Sequence, residues 1–321
     1  MQFCVEGSLF WTIALFAAGL LLICLSGDRF VDASVVIAKR LKIPQIVVGA
    51  TIVSIGTTLP EVLVSATAAL QGSADIAIGN SFGSIICNTA LIAGVGQLIS
   101  PAKSVKTKSV VWRILVFLAA ALFVFAVGLI AGRLGRIAGV VLLLLFALYG
   151  VLSVKIPDDE ASEGDIENER LPKTWVAVVT LFACAAFLYV GAKLLVDNGQ
   201  VLALDYLGVP ERIVAVTLIA LGTSLPELVT TVTSAIKKQG DVGIGNIIGA
   251  NIFNLLLVIS IPAAVTGNVP ISNEALYTDL PIATGLMVLF AGWMLIAKKG
   301  SRILGLLLVL AYAAYSLISF M

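Results

Sequence analysis

Glu61 and Glu227 stand out among the 321 residues because both lie deep in apolar stretches, with no Lys or Arg at a comparable depth. Glu61 closes the hexapeptide GTTLPE (56–61) and Glu227 closes GTSLPE (222–227). A charge at the centre of a bilayer costs about 2.5–3.5 kcal/mol on insertion scales, so an acid in such a place must be neutralised. A proton on each acid, one proton shared between them, or bound cations would serve. The neighbouring residues favour cations. Pro60 and Pro226 each remove a helical hydrogen bond and free a carbonyl one turn back, near Gly56 and Thr57 in one case and Gly222 and Thr223 in the other. Thr57, Thr58, Thr223 and Ser224 add hydroxyl oxygens within the same turn. Carboxylate, hydroxyl and carbonyl oxygens suit a hard cation such as Ca²⁺ or Na⁺, and two negative charges match a divalent ion.

Each following apolar stretch carries a second polar set. GNSFGSIICN (79–88) supplies Asn80, Ser84 and Asn88, and GNIIGANIFN (245–254) supplies Asn246, Asn251 and Asn254. Ser84 and Asn88 are four residues apart and share one helical face. Asn88 and Asn254 would either face an ion or hydrogen-bond a neighbouring helix. The four-residue spacing of Gly79 with Gly83, and of Gly245 with Gly249, points to close helix packing.

These stretches are two copies of one design. At a constant offset of 166 residues, 51–91 and 217–257 share 16 of 41 positions without a gap, among them Gly-Thr-x-Leu-Pro-Glu and Gly-Asn-x-x-Gly. Apolar bias could produce shared Leu, Ile and Ala, but not these polar and glycine positions in register.

The elements that must hold the motifs are membrane spans. The chain is 60% hydrophobic and 12% charged, against roughly 45–50% and about 25% for soluble domains. Apolar runs of about 20 residues recur near 8–26, 45–70, 75–99, 108–131, 134–154, 173–196, 211–236, 241–266, 277–297 and 302–320. This predicts an all-α membrane protein of ten transmembrane helices, built as two repeats of five. An odd number per repeat makes the second copy enter from the opposite face, an inverted-topology duplication that places a site near the midplane between the halves. The expected divisions are 1–154, an acidic linker loop at 155–173, and 174–321. Numbering the loops alternately puts sixteen of the 20 basic residues on one face and only Arg133, Arg136 and Arg212 on the other, with Lys193 near a span end. The basic face is then cytoplasmic, and both termini lie outside the cell (inner) membrane. No basic segment precedes the first apolar run, so 8–26 reads as a retained span. Cys4, Cys24, Cys87 and Cys184 lack metal-ligand spacing and read as structural. A net charge of +1 gives no support for a nucleic-acid partner, and the chain has no histidine, which excludes His-metal proteases and Ser-His dyads. No enzyme, and no resident cofactor, is expected.

With both motif pairs in view, the sequence resembles the sodium/calcium exchanger family, within the wider cation/Ca²⁺ antiporter group. The resemblance rests on GTTLPE with GNSFGSIICN and on GTSLPE with GNIIGANIFN, and the ten-span inverted design extends it over nearly the whole chain. It implies Ca²⁺ coordination by Glu61, Glu227, Thr57 and Thr223. It implies surrounding Na⁺ sites drawing on Ser54, Thr57, Glu61, Ser84, Asn88, Ala220 through its carbonyl, Thr223, Glu227 and Asn254, with Thr58, Ser224 and Ala250 as outer members. The implied partners are Ca²⁺, Na⁺ and membrane lipid, and a monomer would suffice. The implied mechanism is alternating access, with the first span of each half sliding past a rigid core. Two positions depart from the family pattern. Ala250 stands where prokaryotic relatives commonly have Ser, which removes a hydroxyl from one sodium site. Asn88 and Asn254 stand where some relatives, the potassium-dependent branch included, have Asp, which keeps the cage at two carboxylates and argues against potassium dependence. Rival readings are a H⁺/Ca²⁺ antiporter using the same glutamates, and a channel.

Overall fold

The computed structural model describes residues 9–41, 43–70, 75–102, 107–155, 172–206 and 220–319. These residues form helices joined by short turns, apart from two three-residue strands. Helix α1 spans Leu9–Leu41, well beyond the end at residue 26 that the sequence suggests. Charges at Asp28, Arg29 and Asp32 imitate a loop, but they share an exposed face. Ile23, Gly27, Phe30, Ser34, Ile37 and Ala38 recur at helical spacing on the buried one. With 33 residues the helix is about 50 Å long, more than a bilayer core of about 30 Å requires.

Helices α2 (Gln45–Leu70), α3 (Ile76–Ile99), α4 (Thr107–Ala131) and α5 (Arg136–Lys155) follow, then α6 (Thr174–Val201). A four-residue helix, Ala220–Thr223, leads into α7 (Leu225–Ile236), and α8 (Gly240–Thr266), α9 (Ala275–Ala297) and α10 (Arg302–Ser319) complete the chain. Among the described residues eight helices are long and apolar enough to cross a membrane. They are α1 to α6, α8 and α9. Helix α10 is one turn or so shorter than a comfortable span, and the expected span 211–236 begins within 207–219, outside the described residues. The acidic linker also lies outside them, except at its ends.

The helices carrying the motifs are not regular. Gly49–Val53 in α2, Cys87–Ile92 in α3 and Asn254–Val258 in α8 are π-helical, and the last two stretches fall at equivalent places in the two repeats. A π turn leaves a carbonyl without its usual partner four residues on. One is used at once: Tyr149 Oη in α5 donates to Ala50 O at 2.7 Å.

Buried apolar side chains gather in two clusters. The larger joins α3, α4, α5, α8, α9 and α10 around Phe82, Phe117, Phe253 and Phe290. The smaller is made mostly by α1 and α6, with Phe30, Ile37, Leu181 and Leu188, and also takes in Val48 and Val53 of α2 and Val242 of α8, with Leu225 and Val229 of α7 packed against it. Helices α1 and α6 cross at Gly19 and Gly191, where a methyl group on Gly19 would come within 2.8 Å of the Gly191 carbonyl. At its far end α1 meets the core through Lys237, just past α7, which pairs with Asp28 at 2.7 Å and Asp32 at 2.6 Å. Burial opposes the Lys237 charge, but the two carboxylates outweigh it and hold the ammonium above the ordinary lysine range. Strand β1 (Arg133–Gly135) pairs antiparallel with β2 (Asn268–Pro270), in the register Leu134 to Val269.

Candidate cation site

Glu61 and Glu227 are both fully buried, and their charges lie within Coulombic reach of one another. The two repeats position them differently. In α2 the helix runs straight through Pro60 to Glu61, and the irregularity lies two turns earlier in the π stretch. In the second repeat the helix stops at Ser224 (φ −89°, ψ 6°) and restarts with Pro226 in the first turn of α7, where a missing N–H is harmless. Ser224 makes no side-chain capping bond, and at the equivalent Thr58 the helix is unbroken.

The hydroxyls cross between repeats. Thr223 and Ser224 stand beside the Glu61 carboxylate, and Thr57 and Thr58 beside that of Glu227. Thr58 Oγ1 donates to Glu227 Oε1 at 3.3 Å. The asparagines of the Gly-Asn motifs cross in the same way: Thr57 Oγ1 donates to Asn246 Oδ1 at 3.0 Å, and Thr223 Oγ1 to Asn80 Oδ1 at 3.5 Å. Asn80 Nδ2 in turn donates to Ser65 Oγ at 2.9 Å and to the Glu61 carbonyl at 3.2 Å. Ser54 Oγ lies within 2.8 Å of Gly49 O, 3.1 Å of Asn246 O and 3.3 Å of Asn246 Oδ1, tying the π stretch of α2 to α8. That contact is close because Gly245 and Gly249 let the two backbones meet.

Ser84 Oγ reaches Ser224 Oγ at 3.5 Å. Its equivalent, Ala250, is buried without a hydroxyl, and Thr58, the equivalent of Ser224, turns to Glu227 instead. Asn88 Nδ2 donates to Asn251 Oδ1 at 3.2 Å, so Asn88 does join two helices, while its own Oδ1 is left without a donor. Asn251 is held among Asn88, Thr89 and Met287. Asn254 is buried with neither side-chain atom bonded, and Ala220 begins the short helix before Ser224. Asn80, Asn246 and Ser65 are site neighbours that the sequence reading left off its ion-binding set. The Gly-Asn shared by both repeats was the signal for the two asparagines.

Five buried oxygens in this region accept no hydrogen bond among the described residues: both of Glu61, Oε2 of Glu227, and Oδ1 of Asn88 and of Asn254. An unsatisfied buried polar group costs about 1–3 kcal/mol, and more when charged. Among the described residues there is no cluster of three or more His, Cys, Asp or Glu. Two carboxylates surrounded by neutral oxygens are therefore the chemistry this region offers, and the natural complement is a small hard cation.

The family description "Sodium/calcium exchanger protein" matches the chain over residues 11–155 and again over 176–321. The chain belongs to the sodium/calcium exchanger family. It is 37% identical over 264 residues to the inner membrane protein YrbG of Escherichia coli K12, covering 79% of each chain. It is 29% identical over 339 residues to the sodium/calcium exchanger MaX1 of Methanosarcina acetivorans, covering 94% of this chain and 96% of that one. Solved structures of the sodium-calcium exchanger NCX_Mj superpose closely. One soaked with Na⁺ and Sr²⁺ gives a TM-score of 0.82 at 32% identity, covering 96% of this chain and 98% of the other. One soaked with zero Na⁺ and Ca²⁺ gives 0.83 at 31% identity, covering 98% and 100%. As a member of the exchanger family this chain is a multi-span membrane protein of an ion-antiporter class.

Proposed function

We propose that the protein exchanges Ca²⁺ for Na⁺ by alternating access at the Glu61–Glu227 site, placed near the membrane midplane between two inverted repeats of five spans. The observation that carries this is the set of five donorless buried oxygens, three of them on the two carboxylates and two on Asn88 and Asn254. One Ca²⁺ or several Na⁺ neutralise the pair, so each ion set excludes the other, and only a neutralised site crosses the membrane cheaply. Glu61, Glu227, Thr57 and Thr223 take Ca²⁺. Sodium draws on these with Ser54, Ser84, Asn88, Asn254 and the Ala220 carbonyl.

The ten-span topology is supported by contacts between connecting segments. Arg133 bonds Asn268, and β1 pairs with β2, on the face the charge pattern makes external. Gly300 bonds Ala102, Arg40 bonds Pro172, and Lys237 bonds Asp28 and Asp32, all on the basic face. Each of these pairs joins segments that ten spans put on one side. The family match over each half separately supports the duplication. The distinct apolar cluster of α1 and α6 supports a sliding pair beside a rigid core, the shear class of motion.

Proton coupling through the same acids is the rival, favoured by two buried carboxylates within reach of each other. Sodium is preferred because neutral oxygens, from Thr, Ser and Asn, crowd the pair. Glu61→Gln and Glu227→Gln test the site. Each is expected to abolish Ca²⁺ uptake in proteoliposomes with the fold intact, and robust uptake by either variant would refute the assignment.

A further inference from the structure

Beyond Glu227 the same face of α7 continues with Thr230, Thr231 and Ser234, at spacings of three, four and seven residues that align them along one face. The row covers about 10 Å of helix, from the site toward Lys237. All three residues are buried, and no hydroxyl among them has a hydrogen-bond partner among the described residues. Apart from Ser153 in α5, which is also without a partner among the described residues, several other helical hydroxyls are engaged. Ser34, Thr51, Ser260 and Thr266 each bond the carbonyl four residues back, at 2.6–2.8 Å.

What faces the row is also unusual. Gly96 in α3 opposes Thr231, where a methyl group would lie 2.8 Å from Thr231 Cγ2, and Gly243 in α8 lies against Thr231 and Ser234. Beside Thr231, the one member of the row that reaches it, is a cavity of about 20 Å³ whose polar side chains are Thr231, Gln97 and Ser100 and whose remaining lining is glycine, alanine and isoleucine. That volume holds about one water-sized particle. The first repeat has no such row: the equivalent positions are Val64, Ser65 and Ala68, and Ser65 is already engaged by Asn80.

We infer that Thr230, Thr231 and Ser234 line the route by which a small hard cation passes between the Glu61–Glu227 site and the basic face, with the cavity as a way-station for one ion or its water. Hydroxyls that bond no backbone carbonyl keep their oxygens available to a partly dehydrated cation, while the facing glycines let α7 pack closely on α3 and α8. Because only the second repeat carries the row, the route serves one face of the membrane. The inference rests on the transport reading above.

The first test uses everted and right-side-out membrane vesicles carrying T230V/T231V/S234A. At the basic face, half-saturating Ca²⁺ should rise or exchange should slow about tenfold, the effect of losing one contact of the strength of a hydrogen bond to an ion. At the other face values should stay within about twofold of wild type, and T230S/T231S should behave as wild type at both. Unchanged values at the basic face, or equal losses at both faces, would overturn the inference. The second test is independent of which ion drives transport. In a cysteine-free background, S234C should react with a membrane-impermeant thiol reagent from the basic face only, and Ca²⁺ should slow that reaction at least about tenfold. Failure to react from the basic face, or a rate indifferent to Ca²⁺, would overturn the route even if Na⁺-driven exchange is established. Labelling as expected alongside an absence of Na⁺-driven flux would leave the route standing and refute the sodium coupling.

Discussion

Replacing Gly249 with alanine perturbs the site without replacing any group proposed to bind an ion, although the added methyl would press on one of them, Ser54. A methyl group there would lie 2.3 Å from Ser54 Oγ, 2.5 Å from Ala50 O and 2.6 Å from Ala50 Cα. Ordinary contact begins near 3.4 Å, and two of the three neighbours are backbone atoms that cannot rotate away. Helix α8 must therefore move from the π stretch of α2 by about 1 Å, at an overpacking cost of about 1–3 kcal/mol. The same movement stretches the Ser54 contacts to Asn246 from 3.1 and 3.3 Å, and the Thr57 bond to Asn246 from 3.0 Å, beyond hydrogen-bond range. Thermal unfolding in detergent should show the loss of stability, and Ca²⁺ uptake should fall by about tenfold or more, as misplacement of about 1 Å commonly does. Gly292→Ala in α9, where no described residue lies within 4 Å, should be neutral or gain up to about 1 kcal/mol of helix propensity. Uptake and stability at wild-type levels in Gly249→Ala would refute the claim that this backbone contact sets the site.

Tyr149→Phe leaves the Ala50 carbonyl of the π stretch without its donor and should cost about 1 kcal/mol or more in chemical denaturation; no loss would show that the carbonyl finds another partner. Asn254→Asp adds a third carboxylate where both amide atoms are unbonded, and should change the Na⁺ or K⁺ dependence of uptake more than its Ca²⁺ dependence; no change in either would remove Asn254 from the site. Lys237→Ala should cost at most about 1 kcal/mol, since the carboxylates it pairs with are half exposed. Its folded-state pKa lies above the ordinary lysine value, so this stabilisation is fully present below that value and fades as pH rises through the folded pKa. Denaturation midpoints of the variant and wild type should therefore converge in strongly alkaline buffer, and a difference that widens there would contradict the pairing.

The repeat and the two glutamates are legible in the sequence because an acid in an apolar run has few structural explanations and register survives duplication. The ends of α1 are less legible. Asp28, Arg29 and Asp32 resemble a loop until helical periodicity is weighed over charge. The π turns at Gly49–Val53, Cys87–Ile92 and Asn254–Val258 leave no compositional signature, and the bond from Tyr149 to the Ala50 carbonyl in the first of them is visible only in the packing. Asn246 and Asn80 are visible as shared residues. Their bonds to Thr57 and Thr223 require knowing that each repeat completes the other's half of the site, which is a property of packing. For the same reason Pro60 and Pro226 look alike in sequence, yet only one accompanies a break.

The most direct test of the account is radioactive Ca²⁺ uptake into proteoliposomes holding the purified protein, comparing an outward Na⁺ gradient with a H⁺ gradient of equal size at zero membrane potential. The account predicts uptake driven by sodium and not by protons. Uptake driven by protons alone would contradict it and make Glu61 and Glu227 proton carriers.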